Sequence, residues 1–316
     1  MQRLLGSAST DAATMFPYTP LGAGCAPLTP LQPSRRTRVM SILNTTPDSF
    51  SDGGVHSPSD FAALQATVRE HIRQGATLID IGGQSSRPNA PDISAAAEID
   101  RVLPAIHAIT SLGPEAAGIT ISIDTYRAAV AEAAVDAGAH LVNDVSFGAL
   151  DPLMLPTVAR LGCSYLGMHM RGTPATMQDP EHCAYPHGVV PTVAAELAAR
   201  LRAAQAAGVR RWRILLDPGI GFAKTPAQNL ELLRRLPEVR AAAASELRAL
   251  PWVLGSSRKG FIGRVTGVAE ARDRVWGTAA TVGVAVAGGA DVVRVHDVGA
   301  MGLVVRMCDA VWRGEG

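Results

Sequence analysis

The chain has 316 residues, 47% of them hydrophobic, and 29 Lys and Arg stand against 28 Asp and Glu for a net charge of +1. That is enough apolar material for a domain of about 250 residues with an extension, or for two smaller domains. So even a charge balance gives no chain-wide attraction to nucleic acid or to an anionic membrane, and a small-molecule partner is expected.

Residues 1–37 hold Pro17, Pro20, Pro27, Pro30 and Pro33 among Ser, Thr, Gly and Ala, with no lasting helical or strand period. This is the composition of a Pro-rich linker or flexible extension. The first fifteen residues lack the charged start and apolar centre of a secretory signal, and no run of eighteen apolar residues occurs, so a soluble protein is expected. Cys25, Cys163, Cys183 and Cys308 form no CxxC pair and no ligand spacing with histidine. They read as reduced, structural thiols in a reducing compartment.

From residue 38 to 316 the pattern changes. Strand-length apolar runs occur at 39–43, 77–81, 119–123, 140–144, 164–168, 213–217, 252–256 and 291–295. Between them lie segments of helical length, including Phe61 to Gln74, Ala95 to Ile109, Ala128 to Ala137, Val193 to Ala207, Pro226 to Leu236 and Arg272 to Ala287, with a last one from Met301 to Trp312. Gly75, Gly138, Gly162 and Gly208 each precede a strand, where a helix C-terminal cap is expected. Eight βα units and no GxGxxG after the first strand predict an α/β chain closed as a (β/α)₈ TIM barrel, not an open doubly wound sheet.

Every one of these strands runs into polar residues, and in such a barrel those loops converge on one mouth. The first reaches Asn44 and the TTPDSFSDGG loop; the second Asp80 and GGQSSRPNA; the third Asp124; the fourth Asn143 and Asp144; the fifth Met168 and His169. The sixth ends at Asp217 and PGIGFAKT, the seventh at Ser256, Ser257, Arg258 and Lys259, the eighth at Arg294, His296 and Asp297. One such residue is as readily a helix cap or turn former; eight together at one mouth need partners, which a ligand rich in donors and acceptors supplies. Asp124, Asn143 and Asp217 suit a heteroaromatic ring with adjacent N–H donors. Arg294, His296 and Asn44 suit a phosphorylated group, with the Asn44 oxygen a ligand for Mg²⁺.

ILNTTPDSFSDGG, IDIGGQSSRPNA, SIDTYRAAVAEAA, LVNDVSFG, MHMRGTP, LLDPGIGFAKT, GSSRKGFIG and VRVHDV occur in this order across residues 38 to 313. On these motifs the chain resembles the dihydropteroate synthase family of folate biosynthesis. The resemblance implies a transferase that joins 6-hydroxymethyl-7,8-dihydropterin pyrophosphate to para-aminobenzoate with Mg²⁺ present and releases pyrophosphate. It implies a pterin pocket of Asp124, Asn143, Met168, Asp217, Phe222, Lys259 and Arg294. Phe50, Ser86, Arg87, Pro88 and Ser257 match the para-aminobenzoate side; Asn44, Arg294 and His296 match the pyrophosphate and metal side. Asp48, Asp52, Lys259, Arg294 and His296 are the expected catalytic set, with Asp48, Phe50 and Asp52 on a mobile lid. His169 is expected to pack beside the site and not to bind.

Departures from the family pattern are Gln84 for an acid, Ser86 for a threonine and Asn89 for a glycine. A corrinoid-linked methyltransferase domain and a non-catalytic pterin-binding barrel are the competing readings. The DSFSDGG and SSRK segments count against the first and the intact polar set against the second. The Pro-rich start is similar to the linker before the last domain of fungal-type folate synthesis chains, so fusion to upstream folate-pathway domains is an expectation. Homodimerisation is also expected, although no stripe in the sequence marks the face. Cytoplasm is the expected compartment, with the mitochondrion the alternative if the natural chain carries a targeting sequence.

Overall fold

A computed structural model describes residues 18–46, 61–85, 92–242, 247 and 249–314. Its elements are β1 (Arg38–Asn44), α1 (Phe61–Arg73), β2 (Leu78–Gly82), α2 (Ala95–Thr110), β3 (Thr120–Asp124), α3 (Ala128–Asp136), β4 (Leu141–Asp144), α4 (Met154–Leu161), β5 (Ser164–Met168), α5 (Val189–Ala206) and β6 (Ile214–Asp217). They continue as α6 (Pro226–Arg234), α7 (Leu236–Ala242), β7 (Val253–Leu254), α8 (Gly260–Thr266), α9 (Val275–Ala287), β8 (Val292–Val295) and α10 (Val298–Arg313). All eight strands are parallel and follow the order β6-β5-β4-β3-β2-β1-β8-β7. A parallel bridge between Leu216 and Trp252 joins the two outer strands and closes the barrel.

The alternation of side chains along each strand separates two cores. Ile79, Ile81, Ile121, Ile123, Val142, Tyr165, Leu216, Val293 and Val295 point outward and pack against the helices in the main cluster. Met40, Leu78, Leu141, Leu166, Leu215, Val253 and Val292 point inward and fill the lower barrel. Two residues further along β2, β4, β5, β6 and β8 the same inward parity carries Asp80, Asn143, Met168, Asp217 and Arg294, so the interior turns largely polar toward its upper end.

Linker composition did not foretell what residues 18–37 do. Thr19 and Leu28 pair as an antiparallel bridge, with N–H···O distances of 2.8 and 2.9 Å, and Leu21 and Leu28 join the inner apolar cluster from below. Thr120 Oγ1 donates to the Leu21 carbonyl at 2.9 Å, and Ser164 Oγ to that of Pro20, so the polar residues at the barrel floor are satisfied by this segment. Further on, Arg35 pairs with buried Asp291 at 2.8 Å, and the Thr37 N–H and hydroxyl both donate to buried Asp309. The segment is a bottom cap of the barrel.

Other differences are local. The expected helix from Pro226 to Leu236 ends at Arg234 and a second helix follows from Leu236, and Thr225 starts the first with a capping box to Gln228. The seventh strand keeps only two ladder residues of the five expected, because its top turns out into the Ser256–Lys259 loop. Gly75, Gly138, Gly162 and Gly208 all take positive φ, as helix-ending glycines do. Among the described residues, no helix is long and apolar enough to cross a membrane.

Candidate active site

The upper barrel is organised around a buried carboxylate, Asp80, which the sequence places at the end of the second strand without assigning it a partner. Asp80, in the middle of β2 and with no exposed surface, accepts from Arg294 Nε at 2.6 Å, from Asn143 Nδ2 at 3.0 Å and from Ser122 Oγ. Arg294 Nη2 donates to Asp124 Oδ2 at 2.7 Å. A guanidinium thus bridges two carboxylates, and among the described residues its other three N–H donors have no hydrogen-bond partner. Burial raises the Asp124 carboxyl to about 7, although Arg294 opposes the shift; the neighbouring Asp80 charge adds to it. The signal for Asp80 and Ser122 is an acid at the inward parity of the otherwise apolar LIDIG and a hydroxyl at the inward, polar parity of TISID.

Opposite lies a second group. Asp217 accepts from the Gly219 N–H at 2.7 Å, and burial raises its pKa while Lys259 opposes the rise. Lys259 Nζ donates to the Ile220 carbonyl and lies 4.8 Å from the centre of the Phe222 ring. Burial lowers Lys259 to about 8, against the pull of Asp217. Met168 is buried and stands beside Asp217 in the β5–β6 ladder. Gly219 is required here: its φ is +72°, and a Cβ would fall 1.9 Å from the His169 carbonyl oxygen.

The third group is at the rim. Ser257 Oγ lies 3.0 Å from His296 Nδ1 and accepts the His296 N–H at 3.2 Å. Asn44 and Asp124 flank Gly82: a Cβ there would stand 3.5 Å from Asn44 Oδ1 and 3.9 Å from Asp124 Oδ2. Among the described residues the Asn44 site offers one neutral amide oxygen and no adjoining cluster of free carboxylates. That donor set fits Mg²⁺, which keeps waters and takes most other ligands from substrate phosphates.

Asp48, Phe50, Asp52, Ser86, Arg87 and Pro88 lie outside the described residues. The flanks of the second loop are described. Gln84 Oε1 accepts the Ile93 N–H at 3.1 Å, so an acceptor survives at this position although the charge of an acid is lost. Arg127, just past β3, ties the same flank down through Asp92, the Ile93 carbonyl at 2.8 Å and fully buried Glu98. His169 does not face the mouth; it is buried against Glu196 and Lys224.

Residues 40–296 match the model of the pterin-binding enzyme family. A dihydropteroate synthase of Synechocystis is 44% identical over 279 residues, covering 88% of this chain and 91% of that protein. A folic acid synthesis protein of Pneumocystis carinii is 47% identical over 277 residues, covering 88% of this chain but 36% of its own length. Among solved structures, the Xanthomonas albilineans dihydropteroate synthase with 4-aminobenzoic acid superposes with a TM-score of 0.79 at 36% identity, over 93% of this chain and 98% of that one. The chain spans between 36% and 59% of the length of the longer folate synthesis proteins that it matches.

Proposed function

Since the chain belongs to the pterin-binding enzyme family, we propose that it acts as a dihydropteroate synthase, joining 6-hydroxymethyl-7,8-dihydropterin pyrophosphate to para-aminobenzoate and releasing pyrophosphate. The observation that carries this reading is the paired arrangement at the mouth: Arg294 bridging Asp80 and Asp124 on one side, Asp217 and Lys259 on the other. Carboxylates and Asn143 accept the N–H edge of a pterin, while Lys259 donates to its carbonyl edge. The match to a solved relative that holds 4-aminobenzoic acid supports the second substrate.

The reaction we assign breaks the C–O bond to pyrophosphate and forms a C–N bond from the aniline nitrogen, which then gives up a proton. Positive charge grows on the pterin methylene and spreads into the ring. Arg294 and His296 are assigned to the departing negative charge, and Asn44 would offer an oxygen to the metal. Bound Mg²⁺ supplies charge neutralisation on the pyrophosphate oxygens. The aniline nitrogen is neutral near pH 7, so no Ser or Cys nucleophile is needed. Ser257, with Phe50, Ser86, Arg87 and Pro88, is assigned to para-aminobenzoate; Asp48, Phe50 and Asp52 are assigned to a covering loop that keeps water from the cation.

A homodimer is part of this reading. Leu303, Met307 and Val311 lie four residues apart along α10 and are 61%, 64% and 58% exposed, and Trp276 on the adjoining α9 is 82% exposed. Such an apolar face suits a second copy of the chain. Fusion to further folate-pathway domains is supported by the greater length of the Pneumocystis relative. Cytoplasm is the compartment we assign, in keeping with four free thiols and no membrane-crossing helix among the described residues.

The test follows dihydropteroate and pyrophosphate together from the two substrates and Mg²⁺. Equimolar appearance of both, lost in Asp217→Ala and Lys259→Ala, is the expected result. A folded protein that binds the pterin and forms neither product overturns the assignment.

A further inference from the structure

Lys259 is held by the Ile220 carbonyl and the Phe222 ring, so its aim depends on the loop after β6. Within it the Gly219 N–H donates to Asp217 at 2.7 Å and the Phe222 N–H to the Gly219 carbonyl at 3.1 Å. Gly219 and Ala223 both take left-handed φ, of +72° and +50°, and for Ala223 this is a strained conformation. A further anchor lies underneath. Lys224 Nζ donates to the Gly219 carbonyl at 3.0 Å and to the Phe222 carbonyl at 2.8 Å, and its third contact is His169 Nδ1 at 3.0 Å. The Glu196 carboxylate at Nε2 can only accept, so His169 Nδ1 is the unprotonated nitrogen and takes a Lys224 N–H.

The histidine proton then sits on Nε2, which donates to Glu196 Oε2 at 2.8 Å. Burial lowers the His169 pKa to about 4, with the Lys224 charge acting in the same direction, so the ring stays neutral in this role. Glu196 is gripped by Arg171, whose guanidinium lies 4.2 Å over the Tyr185 ring. The Tyr185 hydroxyl donates to the Ala223 carbonyl at 2.9 Å, which brings the chain of contacts back to the loop. Residues 171–187 thereby contribute two anchors, Arg171 and Tyr185. Lys224 and His169 are only 2% and 4% exposed, and burial lowers Lys224 to about 7 even though Asp217 and Glu196 favour its charge. A buried lysine with two of its three contacts on one loop does more than fill space.

We propose that Lys224, set by His169 and Glu196, is a positioning residue that fixes Gly219–Ala223 and so keeps Lys259 directed at the pterin ring. The inference rests on the reading of this mouth as a pterin site. It separates the two substrates, because the Lys224 contacts reach the β6 loop and not the Ser257 rim.

The experiment uses the full chain with Lys224→Met, Lys259→Met, the double variant and His169→Gln. Titration with 6-hydroxymethyl-7,8-dihydropterin pyrophosphate in the absence of para-aminobenzoate gives pterin affinity, and steady-state kinetics gives the KM for para-aminobenzoate. Lys224→Met is expected to weaken pterin binding about tenfold, the scale of one lost charge-assisted hydrogen bond. The KM for para-aminobenzoate should stay within about twofold, and the double variant should bind pterin about as well as Lys259→Met alone. His169→Gln should weaken pterin binding in the same selective way, and it carries the test if Lys224→Met does not fold. Equal losses for both substrates, or additive losses at 224 and 259, overturn the positioning role. Unchanged pterin affinity in either folded variant does so too, while the parent reading stands. No pterin binding by the unaltered chain sinks both.

Discussion

Replacing Asp80 by Asn isolates the charge at the centre of the barrel while keeping its shape. In the native site Asp80 accepts from Arg294 Nε at 2.6 Å and Asn143 Nδ2 at 3.0 Å with no exposure to water. The amide retains one acceptor and turns the other oxygen into a donor, which the Ser122 hydroxyl can rotate to accept, so the loss that remains is the negative charge facing Arg294. Stranding one member of a buried ion pair costs ~3–5 kcal/mol. Arg294 keeps Asp124 at 2.7 Å, so the lower end, about 3 kcal/mol, is expected. In a chain of this size that corresponds to a fall in Tm of roughly 6 °C. There is a second readout: the Asp80 charge helps to raise Asp124, so its loss should let Asp124 ionise at lower pH. The assay is thermal and urea unfolding of Asp80→Asn, Arg294→Met and the double variant, with a coupling of ~2 kcal/mol expected from direct contact. A loss below ~1 kcal/mol, or single losses that add within ~0.5 kcal/mol, would refute the bridged network.

The kcat/KM for the pterin substrate should be bell-shaped. Asp124 becomes an acceptor as pH rises through about 7, and Lys259 loses its charge above about 8. Asp124→Asn should flatten the acid limb and Lys259→Arg should move the alkaline limb upward; a profile level on both sides contradicts these assignments. Leu28→Ala, which empties a place in the floor of the barrel, should cost ~2–5 kcal/mol in urea unfolding, whereas a linker leucine would cost almost nothing. Gly219→Ala should abolish pterin binding, since its Cβ has no room beside the His169 carbonyl; retained affinity in a calorimetric titration would show that the loop is not as rigid as drawn. Leu303→Glu should shift sedimentation from dimer to monomer with little change in Tm, and an unaltered sedimentation coefficient counts against the α10 face.

Much of the architecture is written locally in the chain. A strand in a closed parallel barrel is apolar along its outward face, and its loop must carry polar groups where it meets water and ligand, so TLIDI or RILLD followed by a polar run can be read without the fold. The same local rules marked Asn44, Asp124, Asn143, Asp217, Lys259, Arg294 and His296 at strand ends. They also marked Gly75 and Gly138 as helix stops. Sequence reading missed what depends on distance along the chain. Asp80 meets Arg294 across 214 residues, and Lys224 meets His169 across 55. Leu21 and Leu28 look like linker residues because two leucines among prolines have no period; only a closed barrel, with an apolar floor beneath it, gives them something to cover. The order of residues determined which segments become strands and which ends are polar, because those choices follow backbone conformation and burial within a few residues. Which carboxylate pairs with which cation, and what closes the bottom, was decided by tertiary structure alone, because such pairings exist only once barrel closure brings distant strands within hydrogen-bond reach.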